Sequence, residues 1–210
     1  MDGEKRNFDQ EAASWDAKPR RVKLVADIAQ AIVGEIKLNS RMDVLDFGCG
    51  TGLLTMQLQP LVRSITGVDS SPGMLDVLGG KIQDLNLSNV KTRCLDVERG
   101  GVLEGSYDLI VSSMTFHHIK EISPLLEQFY NVLLPAGHLC IADLDFDDGQ
   151  FHENNDGVFH SGFNREKLTG LIRDAGFRNI RCRTVARLSK PVPGGGSREF
   201  TIFLMTGCRS

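Results

Sequence analysis

No stretch of this 210-residue sequence approaches the roughly 20 consecutive apolar residues that a membrane-spanning helix needs. The first six residues, Met1-Asp2-Gly3-Glu4-Lys5-Arg6, lack the apolar core of a secretion signal. A cytoplasmic location without membrane insertion is therefore expected. A cationic surplus is missing too: 24 Lys and Arg stand against 27 Asp and Glu, a net charge of −3. That balance argues against a protein whose main task is to grip nucleic-acid backbone. The five cysteines, at 49, 94, 140, 182 and 208, form no C-x-x-C pair. Scattered and mostly within apolar runs, they read as small buried hydrophobes in a reducing compartment, not as disulfides or a metal centre. No internal repeat and no interdomain linker interrupts the chain, so a single domain over residues 1–210 is expected.

What the sequence does hold is organised around Val44-Leu45-Asp46-Phe47-Gly48-Cys49-Gly50-Thr51-Gly52. An apolar run stops at three glycines, and a helix-length pattern starts at Leu53. A strand that breaks into a glycine loop before a helix brings backbone close to a nucleotide-like ligand. The dinucleotide fingerprint would want its third glycine at position 53, which is Leu. The next strand, Ile65 to Val68, runs into Asp69, at about the 20-residue offset expected of a ribose-binding acid. Two ribose hydroxyls are donors, and one carboxylate can accept both. The alternative role for Asp69, a helix cap, is already filled by Ser70 and Ser71.

Around this core the elements alternate. Val22, Val25, Ile28, Ala29, Ile32, Val33 and Ile36 recur at helical spacing after Pro19. Ser71-Pro72 and Ser123-Pro124 read as helix starts, each a cap followed by proline. Strands are expected from Val90 to Leu95 and from about Asp108 to Ser112, and Pro135-Ala136-Gly137 as a turn into Leu139–Ala142. The rhythm breaks near the end: a helix from Arg165 to Ala175 feeds Ile180–Leu188, a loop over Pro191–Gly196, then apolar Phe200–Met205. Two strands joined without a helix should pair antiparallel. Asp143-Leu144-Asp145-Phe146-Asp147-Asp148-Gly149 fails as a calcium loop, because its sixth and twelfth positions are Asp148 and Asn154 instead of glycine and glutamate. No metal site is expected.

Taken in order, the glycine motif, Gly67-Val68-Asp69, Cys94-Leu95-Asp96, Tyr107–Val111 and Leu134–Leu139 resemble the class I S-adenosylmethionine-dependent methyltransferases. The His117-His118 pair and the Phe8…Trp15-Asp16 entry segment are similar to the small-molecule, quinone-biosynthesis branch. The resemblance implies a Rossmann-like, doubly wound α/β sheet of seven strands, mostly parallel with an antiparallel last strand and helices on both faces. It implies residues 1–40 as a lid segment and helix, 41–145 as the cofactor core, and 146–210 as the substrate-side loop, helix and strand pair. The cofactor would be S-adenosylmethionine, leaving as S-adenosylhomocysteine.

By the same resemblance Gly48, Gly50 and Gly52 admit the methionine part of the cofactor, and Asp46 helps hold its ammonium end. Asp69 takes the ribose; Asp96, with the backbone of Val97, takes the adenine amino group. Trp15, Cys49, Ser70, Met74 and Ser112 complete the expected cofactor contacts. The acceptor pocket is expected between Met114, Phe116 and His117 on one side and the loop bearing Phe151, Phe159, His160 and Phe163 on the other, with His117 or His160 as base. The histidines could instead cap a turn, and the loop could be a solvated surface segment. The expected acceptor is a small molecule, since no basic arm or separate recognition domain is apparent. A protein or RNA acceptor, or a non-catalytic binding module on the same fold, remains the alternative.

Overall fold

The computed structural model describes residues 7–152, 154–191 and 196–210. Residues 1–6, where the expected lid segment starts, and 192–195, most of the expected hairpin loop, lie outside the described residues. Seven strands form one sheet: β1 (Asp43–Phe47), β2 (Ser64–Asp69), β3 (Val90–Cys94), β4 (Tyr107–Ser113), β5 (Leu133–Leu144), β6 (Arg178–Pro191) and β7 (Ser197–Cys208). Their order is β3-β2-β1-β4-β5-β7-β6. The first five run parallel, and β7 inserts antiparallel between β5 and β6. This is the doubly wound arrangement anticipated from the alternating pattern and the helix-free final connection.

Period-two alternation in the central strands sends side chains to two cores. Val44, Leu109 and Val111 face one; Leu45, Phe47 and Ile110 face the other. Helices α2 (Pro19–Glu35) and α3 (Leu53–Leu58) cover the first face with Leu24, Ile28, Ile32, Leu54 and Leu58. On the second face lie α5 (Ile122–Val132) and α6 (Arg165–Asp174), with Leu125, Leu126, Phe129, Leu168 and Ile172. The short α1 (Phe8–Glu11) and α4 (Pro72–Asp84) complete the helices.

Three local expectations need correction. The buried stripe of α2 is Leu24, Ile28, Ala29, Ala31 and Ile32, whereas Val22 and Val33 stay 38% and 43% exposed. A 3.6-residue period places them at the edge of the stripe. Helix α5 begins at Ile122 with Glu121 in the cap position, so Ser123 and Pro124 lie inside its first turn. Pro135-Ala136-Gly137 is not a turn before the strand but a bulge within β5. The register jumps from Tyr107↔Leu133 to Leu109↔His138, and Arg209 pins the bulge through Ala136 N–H and Gly137 C=O, both at 2.9 Å.

The strand order reverses between β1 and β4, and the crevice outside their carboxyl ends is where open α/β sheets take ligands. The core beneath that crevice includes Phe129, fully buried, with its ring 5.2 Å from Phe47 and 6.0 Å from Phe116. Phe129→Ala should lower unfolding stability by about 3–5 kcal/mol, read from urea denaturation; a loss below about 1 kcal/mol would mean that this face is not packed as described.

Candidate active site

At the end of β1 the backbone passes through Gly48 and Gly50 at φ +70° and +54°. A Cβ on Gly48 would lie 2.2 Å from the Thr115 side chain, so any larger residue would push apart the loops after β1 and β4. A Cβ on Gly50 would meet nothing nearer than Met74 Sδ at 3.9 Å, and the bare backbone there lines open space. Asp69, at the end of β2, holds this loop. Its Oδ2 accepts from Gly50 N–H at 2.8 Å and its Oδ1 from Ser71 N–H at 2.9 Å. A carboxylate offers about four acceptor sites, so these two amides alone do not exhaust it.

That loop forms one wall of a cavity of about 850 Å³. Asp46, Gly48, Cys49, Gly50, Asp69, Ser70, Met74, Asp96 and Val97 all line it, as the sequence suggested. Asp96 also caps the short turn Val97–Arg99, accepting from Glu98 N–H at 3.1 Å. Two expected residues stand elsewhere. Gly52 caps α3 at φ +81°, with the space beside it filled by Leu78, whose Cδ1 would lie 2.4 Å from an added Cβ. Ser112 is buried and donates to Phe47 C=O at 3.0 Å, tying β4 to β1 beneath the cavity floor.

The cavity continues past the end of β4. Met114 is held at φ +56°, its N–H bonded to Ala142 C=O at 2.8 Å. Next to it His117 is buried, and its Nδ1–H donates to Asp143 Oδ1 at 2.6 Å. A carboxylate on Nδ1 places the lone pair of the neutral ring on Nε2. His117, Met114 and Phe151 line the cavity, and so does His152, to which the sequence assigned no role.

Four members of the expected acceptor pocket are not part of it. Phe116 is fully buried against Phe129, because the 3-10 turn Phe116–His118 points it into the core. Phe163 packs below the sheet edge, 6.5 Å from Phe203. Phe159 is 40% exposed, its N–H bonded to His117 C=O. His160 spends Nε2–H on Ile119 C=O at 2.9 Å, so that nitrogen is a donor and not a base.

The N-terminal segment closes the remaining side. Asp9 accepts from Ser71 Oγ–H at 2.5 Å and from Gly73 N–H at 2.8 Å, bonds that hold its carboxyl below the usual range. Asp16 binds Thr51 Oγ–H and Lys81 Nζ, each at 2.6 Å. These anchors bring Phe8, Trp15 and Arg21 to the cavity, with the Arg21 guanidinium 3.5 Å from the centre of the Trp15 ring. Leu24, Val25, Leu188 and Lys190 also line it without any sequence signal. The latter two arrive because β6 and β7 stay paired beyond the end of β5, as far as Pro191↔Ser197.

A family model described as "Methyltransferase domain" matches residues 18–181. An uncharacterized methyltransferase of Schizosaccharomyces pombe is 31% identical over 175 residues, 76% of this chain and 61% of that protein. A malonyl-[acyl-carrier protein] O-methyltransferase of Priestia megaterium is 30% identical over 176 residues, 81% of this chain and 60% of that protein. The chain thus spans about three fifths of the length of these relatives. Among solved structures, phosphoethanolamine N-methyltransferase 2 of Haemonchus contortus, in complex with S-adenosyl-L-methionine, shares the fold. Its TM-score is 0.70 at 16% identity, over 86% of this chain and 52% of that one.

Asp46 is a strongly perturbed acid of the cavity. Burial, reinforced by the nearby Asp69 charge and opposed by the Thr55 hydroxyl at 2.6 Å, pushes its pKa up to about 7. An acid with a raised folded-state pKa binds its proton more tightly when folded, so stability falls as pH rises from about 4 to 7. Asp46→Asn keeps an acceptor for Thr55 without the charge. Its stability relative to the parent should therefore grow across that window, by on the order of 4 kcal/mol at most, and level off above it. Urea denaturation of both proteins at pH 5 and pH 8 reads this directly, and a pH-independent difference would place the raised pKa elsewhere.

Proposed function

The chain belongs to the S-adenosylmethionine-dependent methyltransferases, and on that premise we propose that its acceptor is a small molecule held in the outer half of the cavity. The observation that carries this is continuity: one cavity runs from the glycine loop and Asp69 to Met114, His117 and Phe151. The cofactor, when bound, supplies a methyl group already activated on a sulfonium. The residues present suit such a ligand. Bare backbone at Gly48 and Gly50 admits its amino-acid part, the Asp69 carboxylate suits two vicinal hydroxyls, and Asp96 with Val97 suits an exocyclic amine.

The chain's own work is alignment, exclusion of water and removal of a proton. Phe8 and Trp15, at 5.8 Å and edge to face, form the apolar cover on the N-terminal side. Phe151, backed by Phe200 at 5.3 Å, with Leu188 and Met114 supplies an apolar acceptor wall. His117, oriented by Asp143, takes the acceptor's proton on Nε2. The buried thiols of Cys49 and Cys140 have pKa values pushed up by burial and stay protonated, which fits the reducing cytoplasm proposed as the setting.

A second reading is favoured by the cationic mouth. Lys18, Arg20 and Arg21 line the cavity on one side and Lys190 on another, which suits a carboxylate acceptor such as the acyl group named for the Priestia megaterium relative. An ionised carboxylate needs no base, so the two readings separate on one substitution. His117→Ala should lower turnover by about 10²–10⁴-fold with a hydroxyl or amine acceptor and leave it nearly unchanged with a carboxylate, as followed by product mass. Asp69→Ala should weaken cofactor affinity by on the order of 1.5–3 kcal/mol, the range for hydrogen bonds to a charged group. Asp69→Asn, which keeps one acceptor oxygen, should lose less. Unchanged calorimetric affinity in a folded Asp69→Ala protein would remove Asp69 from the cofactor site.

A further inference from the structure

His117, His118 and His152 meet on the acceptor side of the cavity, each offering a ring nitrogen within 4.8 Å of the other two. Their ring centroids are 4.2 Å (His117–His118), 5.0 Å (His117–His152) and 5.7 Å (His118–His152) apart. Three imidazoles this close are compatible when neutral and repel one another when protonated, unless something shared lies between them.

In two of the rings the proton is placed by the partner. His117 Nδ1–H donates to the Asp143 carboxylate at 2.6 Å. His118 Nδ1–H donates to Gly157 C=O at 2.7 Å, and a carbonyl oxygen can only accept. Each neutral ring then carries its lone pair on Nε2. A carboxylate or a backbone carbonyl on the far nitrogen is what fixes tautomer and orientation in metal-ligating histidines. Spacing in the chain hides the cluster, because two of the rings follow β4 and the third follows β5; the sheet edge brings them together.

We propose that His117, His118 and His152 form a three-nitrogen site for one divalent transition-metal ion of the zinc class. Neutral imidazole is a ligand suited to that class. Bonds of about 2.0–2.1 Å in a tetrahedral site space the nitrogens by roughly 3.4 Å, so the rings draw together by about 1 Å on loading. Three protein ligands leave a fourth position for water or substrate, and here it opens into the acceptor half of the cavity. The consequence for catalysis, unlike the site, rests on the methyl-transfer reading. A lone pair of His117 given to the ion is not available to a proton, and in the loaded protein the ion itself would acidify a bound acceptor hydroxyl.

The test uses Zn²⁺ alone, titrated into the purified chain against a chromophoric chelator, with the histidine ring nitrogens followed by NMR. One Zn²⁺ per chain should bind, moving the ring-nitrogen signals of all three histidines together. His118→Ala and His152→Ala should each weaken binding at least tenfold while cooperative thermal unfolding is retained. Absence of binding in the micromolar range would overturn the site. So would binding that leaves the histidine signals unmoved, as when exposed Cys94 takes the ion, or unchanged affinity in both variants. If either variant fails to fold, the NMR experiment on the unsubstituted chain decides. A chain that binds no Zn²⁺ yet loses turnover on His117→Ala loses the metal site and keeps His117 as base.

Discussion

The Asp69 carboxylate is the joint on which the cavity depends. One oxygen holds the amide of Gly50, the other the amide of Ser71, so a single side chain fixes the glycine loop after β1 and the start of α4 after β2. Ser71 in turn caps α4 by accepting from Met74 N–H, and it donates to Asp9 of the N-terminal segment. Through that chain of contacts the cover over the cavity is linked to the glycine loop it faces. Hydrogen bonds to a charged acceptor are stronger than neutral ones, and the two to Asp69 add to the bonds from Gly48 and Cys49 N–H to Val68 C=O that also restrain the loop.

The same economy explains why acids gather at this edge. Asp46 is buried beside Asp69 with the hydroxyl and backbone of Thr55 as its hydrogen-bond partners among the described residues, and desolvation drives its pKa up. Such a position costs stability near neutral pH. It becomes intelligible if a cationic group of a ligand shares the space, because an opposite charge within a few ångströms restores the ionised form. Asp143 is buried just as deeply but differs in having partners: His117 Nδ1–H and Leu144 N–H both donate to its Oδ1. The two acids mark two parts of the cavity, one with a carboxylate held mainly by Thr55 and one with a carboxylate satisfied by His117 and Leu144.

How much of this was legible follows the same division. The part proposed for the cofactor is written at strand ends, where an apolar run must stop and a glycine or acid must follow, and such punctuation survives in one dimension. Asp46, Gly48, Gly50, Asp69 and Asp96 were all found at the cavity. Even there Gly52 and Ser112 misled, since a helix cap and an interstrand hydroxyl carry the same residue types as a binding loop. The acceptor half lies on loops, where composition says nothing of direction. Phe116, Phe159 and Phe163 are aromatic for three different reasons: core packing, surface exposure and support under the sheet edge. His160 differs from His117 only in what its ring meets, a backbone carbonyl instead of a buried carboxylate. Leu188 and Lys190 reach the cavity because β6 and β7 stay paired beyond the end of β5, a matter of strand length with no motif.

This division bears on what can vary without loss of the fold. The glycine loop is confined from two directions, by Thr115 against Gly48 and by Leu78 against Gly52, so a side chain added at either position must displace a neighbour. The walls of the part proposed for the acceptor are single side chains on the segments after β4 and β5 and on the end of β6. Phe151 or Leu188 could change size while Asp69, Gly50 and Asp46 stay where they are. Met114 is the exception, since its backbone is held in the left-handed region while bonded to Ala142 C=O, directly between the loop that leaves β4 and the histidines that follow. Strain of that kind persists only where the surroundings over-determine it, and here they do. The Thr115 hydroxyl donates towards Gly48 C=O at 3.2 Å on one side of Met114, and β5 holds its amide on the other. Met114 is thus set from both sides, so a change in the cavity wall that moved it would be felt at the glycine loop.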